Sequence, residues 1–228
     1  MKPVFTPVAM PFVDVVGTGE CFPVHRIYCV GRNYADHVRE MGSDPKRDAP
    51  VFFSKPADAV VANGAPVPYP PQTRNLHHEI ELVVAISRGG SDIPLASALE
   101  HVFGYAVGND LTRRDLQHAA KNAGAPWDTA KGFDHSAPVS AIRRAADVGH
   151  LRSGAIWLEV NGEARQRADL SEMIWSVPEI VAALSTYYAL QPGDLIFTGT
   201  PAGVGPIVRG DSIVGGIDGL ETLRTTIV

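Results

Sequence analysis

The stretch HHEIELVVAI (77–86) reads as one long strand, closed by the turn residues SRGG (87–90). It has no glycine or proline and is rich in β-branched and apolar side chains. Residues i and i+2 of a strand share a face, so Glu79 and Glu81 point one way and Ile80, Leu82 and Val84 the other, toward a core. Two carboxylates side by side repel and raise each other's pKa, and a divalent cation between them removes that cost. Oxygen ligands of this hardness favour Mg2+, Mn2+ or Ca2+ over zinc. A solvated strand face with two acids is the other reading of the same pattern.

Working outward, FGYAVGNDL (103–111) is a second strand, and Asp110 is the lone acid at its end. Gly104, Ala106 and Gly108 share its face and are expected to leave space, as in the wall of a site. Alternatively, Asp110 is a helix N-terminal charge, since Thr112 and Asp115 resemble a capping box and Gly124 a helix stop. IYCV (27–30), VFFSK (51–55) and DLIFTGT (194–200) read as further strands. Between the first two, Asn33 is the expected N-cap of the helix YADHVREM, where His37 and Glu40 share a face. They form either an exposed pair or a base held by its orienting carboxylate. The loop TPAGVGP (200–206) has neither the phosphate-loop nor the dinucleotide glycine pattern. It offers backbone N–H groups and the Thr198 and Thr200 hydroxyls to a carboxylate. Asn161-Gly162 marks a hairpin with a type I′ turn, and PEIVAALSTYYAL (178–190) a helix with Pro178 near its first turn.

These elements make one α+β domain, strand-rich, over 27–228, with 1–26 an extended segment packing on it. Twenty-two glycines and 18 prolines fit a chain of many turns and short elements. Charge argues against nucleic acid: 20 Lys and Arg against 25 Asp and Glu, net −5, with no basic stripe. No apolar run approaches the ~18 residues of a membrane helix. The N-terminal MKPVFTPVAMPFVDVVG is broken by three prolines and does not read as a secretory signal. Two cysteines, Cys21 and Cys29, make no disulfide framework, so reduced thiols and a cytoplasmic location are expected.

Several long motifs, in order, carry a family resemblance: VGRNYADHVREM (30–41), FFSKP (52–56), RNLHHEIELVV (74–84), GYAVGNDLTRRDLQ (104–117), KGFD (131–134) and LIFTGTPAGVGP (195–206). From about Ile27 onward the chain resembles the fumarylacetoacetate hydrolase family, closest to its short acylpyruvase branch, which includes fumarylpyruvate hydrolases. The resemblance implies a mixed β-sandwich roll, usually a homodimer. It implies Mg2+ or Mn2+ (Ca2+ in a crystal) on Glu79, Glu81 and Asp110, a water-activating dyad of His37 and Glu40, and Lys131 as partner of substrate and enolate. Gln117 and Thr200 fall at substrate-contacting positions, and Arg32 is a candidate for a distal carboxylate. One departure is HSAPVS (135–140), where many members continue T-F-A-P-x-G-P; it bears on pocket shape.

The implied reaction is hydrolytic C–C cleavage of a 2,4-dioxo acid such as fumarylpyruvate, a small-molecule dicarboxylate. Oxaloacetate decarboxylation, or tautomerisation or isomerisation of a 2-oxo acid, suits the same site, and a non-catalytic carboxylate-binding protein is the rival from another class. The loop GSDPKRDAP (42–50) is expected to close over the site.

Overall fold

The computed structural model, which describes residues 3–42 and 48–228, divides HHEIELVVAI between two sheets. Leu76–His78 lies between Thr112–Arg113 and Gly205–Ile207 in a three-stranded antiparallel sheet. Ile80–Ile86 lies inside an eight-stranded mixed sheet, antiparallel to Asp194–Phe197 on one side and Val102–Asn109 on the other. The single long strand read from the sequence is thus corrected to two, parted at Glu79. Its N–H donates to Asn109 Oδ1 (2.9 Å), and its C=O accepts from the Asp110 N–H (2.8 Å). A side-chain carbonyl replaces a ladder partner there, so the chain leaves one sheet for the next without an unpaired buried amide.

The larger sheet runs Val51–Lys55, Arg26–Gly31, Asp194–Phe197, Ile80–Ile86, Val102–Asn109, Ala137–Val139, Val60–Ala62, with Arg143–Arg144 also on Val102–Asn109. Its Ile80, Leu82 and Val84 face packs on a five-stranded sheet (Glu163–Asp169, Ala155–Val160, Ser212–Ile217, Leu223–Ile227, Pro66–Val67) and on the helix Val177–Tyr187. The approach is close: a Cβ on Gly215 would come within 2.4 Å of Ile80 Cδ1. The opposite face, Val83 and Ala85, packs with Val13, Val15, Phe22 and Val24 of an N-terminal hairpin (Phe12–Asp14 with Cys21–Pro23). With both faces covered, the strand reads as an unbroken apolar run after Glu81. The result is the strand-rich α+β sandwich roll.

The Asn161-Gly162 turn has φ of 54° and 80°, as type I′ requires. The helix Val177–Tyr187 starts on a Ser176/Glu179 capping box, and Arg114–Ala123 ends at a left-handed Gly124. Three local expectations are corrected. Thr112 does not cap a helix; it pairs with His77, and its hydroxyl donates to Asp110 O (2.9 Å). Asn33 does not cap Ala35–Glu40, which starts at Tyr34; its side chain ties Trp175 to Thr198. Gly104 and Gly108 leave no space: a Cβ on Gly108 would meet Val83 and Phe197 at 2.5 and 2.6 Å, and one on Gly104 the Arg143 carbonyl at 2.2 Å. They are packing contacts between strands. Residues 43–47 of the expected closing loop lie outside the described residues. Among the described residues no helix is long and apolar enough to cross a membrane.

Candidate active site

Glu79 sits at the break between the sheets, Glu81 two residues on in the central strand, and Asp110 just beyond the neighbouring strand. All three are buried, and one carboxylate oxygen from each falls within 4.8 Å of the others. Three buried cations surround them. Lys131 Nζ donates to Glu79 Oε2 (2.8 Å), Asp110 Oδ2 (2.7 Å) and Thr112 Oγ1 (2.7 Å). Lys55 Nζ lies 2.8 Å from Asp110 Oδ1 and donates to the Leu111 and Lys131 carbonyls. Arg114 pairs with the other Glu79 oxygen and donates to Gln117. A buried ion is costly unless paired, and this arrangement pairs three cations with two of the three acids.

The carboxylates separate accordingly. Burial alone would push Glu79 up, but Lys131 and Arg114 outweigh it and hold Glu79 well below the usual carboxylate range. Burial and then the charges of Asp110 and Glu79 push Glu81 well up, against the Gly199 N–H that donates to it (2.7 Å). Burial pulls Lys131 down, yet Asp110 and Glu79 outweigh it and keep it protonated. Glu81 has no ion-pair partner among the described residues, and Asp110 Oδ1, though beside Lys55, makes no well-aligned hydrogen bond. An all-oxygen donor set with one crowded carboxylate and one under-bonded oxygen fits a hard divalent cation.

His77 and His78 are not part of that donor set. Arg114 Nε donates to His77 Nδ1 (3.3 Å) while His77 Nε2 bonds Asn75 Oδ1 (3.0 Å). Burial, then the charge of Arg114, pushes His77 down to about 4. His78 turns away to Gln166.

His37 is buried on the short helix Ala35–Glu40, its Nδ1 bonded to Glu40 Oε2 (3.1 Å), which leaves Nε2 for chemistry. Glu40 also accepts from the Gly203 N–H (3.1 and 3.2 Å). Burial pushes Glu40 up, but these hydrogen bonds, His37 first, bring it below its ordinary value. His37 and the three acids line one cavity. Lys131, Gln117, Thr200 and Arg32 line it too, Arg32 at a left-handed φ of 62°. Glu40 stands behind His37 rather than in the wall. The candidate ligands, the His37–Glu40 pair, Lys131, Gln117, Thr200 and Arg32 are therefore at or next to one cavity, whereas the Thr198 hydroxyl, expected to face a carboxylate, donates instead to the Leu82 carbonyl (2.9 Å).

Sequence reasoning passed over Lys55, Arg114, Lys121 and Gln166. Lys55 carried a signal, a lysine closing the apolar strand VFFSK, and Arg114 stands one helical turn before Gln117. Lys121 lines the cavity from the same helix, a turn beyond Gln117. Gln166 carried none, because it is the single buried residue of the otherwise solvent-facing strand Glu163–Asp169.

The family model described as fumarylacetoacetate (FAA) hydrolase C-terminal matches residues 26–228. Oxaloacetate tautomerase FAHD1, mitochondrial, of Mus musculus is 48% identical over 198 residues, 87% of this chain and 89% of that protein. Fumarylpyruvate hydrolase of a Ralstonia species is 47% identical over 176 residues, 77% of this chain and 91% of that protein. Among solved structures, fumarylpyruvate hydrolase from Pseudomonas aeruginosa, in complex with Mn2+ and pyruvate, superposes with a TM-score of 0.97. It is 54% identical and covers 100% of this chain and 99% of that one. A match that begins where the first strand of the large sheet begins and runs to the last residue places this chain in the fumarylacetoacetate hydrolase family.

Proposed function

We propose that the protein is a metal-dependent hydrolase that cleaves the C–C bond of a 2,4-dioxo acid, with fumarylpyruvate, giving fumarate and pyruvate, as substrate. The observation that carries this reading is that an imidazole–carboxylate pair and a three-carboxylate floor open on the same cavity. Glu79, Glu81 and Asp110 would hold Mg2+ or Mn2+. Bound there, the ion supplies Lewis-acid stabilisation of negative charge on a 2-oxo acid.

The remaining steps belong to the chain. His37 takes a proton from water, and the water oxygen bonds to the distal carbonyl carbon. The C–C bond to the pyruvyl methylene then breaks, its electron pair leaving as an enolate. His37 returns the proton to that carbon, so the products balance. Glu40, ionised and anchored by Gly203, keeps the His37 ring in register. Lys131 and Arg114 place positive charge where enolate charge grows. Arg32 at the rim is offered as a partner for a distal carboxylate. Cytoplasmic location and a homodimer remain part of the proposal, the second on the resemblance alone.

The 48% identity to a tautomerase favours one further reading, in which the same floor and base move a proton on oxaloacetate without attacking water. One panel separates them: metal-stripped protein, restored with Mg2+ or Mn2+ or kept in EDTA, assayed on fumarylpyruvate, acetylpyruvate and oxaloacetate. Stoichiometric fumarate and pyruvate with metal, and none in EDTA, is the expected result. Full activity in EDTA overturns the metal-dependent reading, and oxaloacetate enol–keto exchange without cleavage of either acylpyruvate transfers the assignment to the tautomerase.

A further inference from the structure

Gln166 is almost fully buried on a strand whose neighbours face solvent. Its Oε1 accepts from the backbone N–H of Ile80 (3.1 Å) and bonds His78 Nδ1 (2.9 Å). Its Nε2 donates to the Pro201 carbonyl (2.9 Å) and to Thr200 Oγ1 (2.7 Å). All four capacities of the amide are used. The O and N ends of a glutamine are ordinarily a choice made from the surrounding network. Here the choice is forced at both ends, because a backbone N–H can only donate and a proline carbonyl can only accept.

That polarity passes on to Thr200. A hydroxyl has one proton and two lone pairs. Having accepted from Gln166, Thr200 Oγ1 keeps its proton for another acceptor, and no hydrogen bond among the described residues uses that proton. Thr200 lines the cavity. The loop is packed closely on that strand: a Cβ on Gly203 would come within 2.1 Å of the Arg165 carbonyl.

We infer that Gln166 is a positioning residue that sets Thr200 as a committed hydrogen-bond donor to an anionic oxygen of the bound 2-oxo acid. The orientation originates at the amide of Ile80, between Glu79 and Glu81, so one side chain ties the direction of the hydroxyl to the strand that carries the acids. The inference rests on the proposed binding of a 2-oxo acid in this cavity, not on which reaction follows.

The test is calorimetric binding of pyruvate in the presence of Mn2+, to wild type, Gln166→Glu, Thr200→Val and the double variant. Glutamate is close in shape and accepts from Ile80 and His78, but its second oxygen accepts where the amide donated and so captures the Thr200 proton. Losing a hydrogen bond to a charged group is expected to weaken pyruvate binding by about tenfold or more in each single variant. The double variant should be no weaker than Thr200→Val alone, because both changes remove the same contact. Equal losses from Gln166→Glu with and without Thr200 would mean that Gln166 acts only on the fold and overturn the inference. If Gln166→Glu does not fold, Thr200→Ser and Thr200→Val decide: serine should retain binding and valine lose it, and undiminished binding by valine overturns the proposal. Absence of pyruvate binding by wild type with Mn2+ overturns the 2-oxo-acid reading itself, a result separable from either of these.

Discussion

Two parts of the cavity are built in opposite ways. The acid floor stands in and beside the central strands of the largest sheet, buried on both faces, with every cation and all but one acid paired. The His37–Glu40 pair stands on a six-residue helix whose Glu40 side chain is one-third exposed, and its second anchor is the backbone of the glycine loop, Gly203 first. The floor has the rigidity needed to hold charges close together. The dyad is held by fewer contacts, and in the proposed reaction its task is to pass a proton, which demands correct reach more than a fixed charge. Strong electrostatics are worth their desolvation only where geometry is held.

The largest expected effect breaks the floor. Asp110→Ala leaves Lys55 and Lys131 buried with too little negative charge. It should cost about 3–5 kcal/mol, a fall in melting temperature on the order of 10 °C in metal-free protein, and should abolish Mn2+ binding. An unchanged melting temperature would show that the floor is not a balanced charge cluster. Next, His37→Ala should lower turnover by about 10²–10⁴-fold while Mn2+ binding, read by calorimetry, stays intact. Loss of metal binding along with activity would erase the distinction between the two parts.

The smallest effect sharpens it. Glu40→Gln keeps an acceptor for Gly203 but removes the charge, and a turnover loss of about 10–10²-fold is expected. Because the folded Glu40 pKa lies below its ordinary value, its contribution to stability is complete at neutral pH. It is lost as pH falls below the usual carboxylate range through the folded value. The variant should lack that acid-side component, which exposure and solvent screening limit to less than about 1 kcal/mol, measurable as a flatter profile of melting temperature between pH 5 and pH 3.

The amino-acid sequence by itself determined the ingredients that are periodic or local. The alternation at Glu79, Ile80 and Glu81, the Asn161-Gly162 turn and the helix start at Pro178 follow from rules that span a few residues. So does the shared face of His37 and Glu40, and the ordered motifs carried the family. What it could not determine is everything that depends on which chain lies opposite. Only the tertiary structure divides the acid strand at Glu79, since the bond that ends the ladder comes from Asn109, thirty residues away. Only there do Gly104 and Gly108 become contacts between strands rather than open wall, and Lys55 and Arg114 become the counter-charges of the floor. Gln166 is the extreme case: it stands between the exposed Arg165 and Arg167, and its contacts come wholly from Ile80, His78, Thr200 and Pro201, which meet it across two sheets. Propensity and spacing act along the chain, whereas burial and charge pairing act through space, and the chemistry of this site is decided by the second.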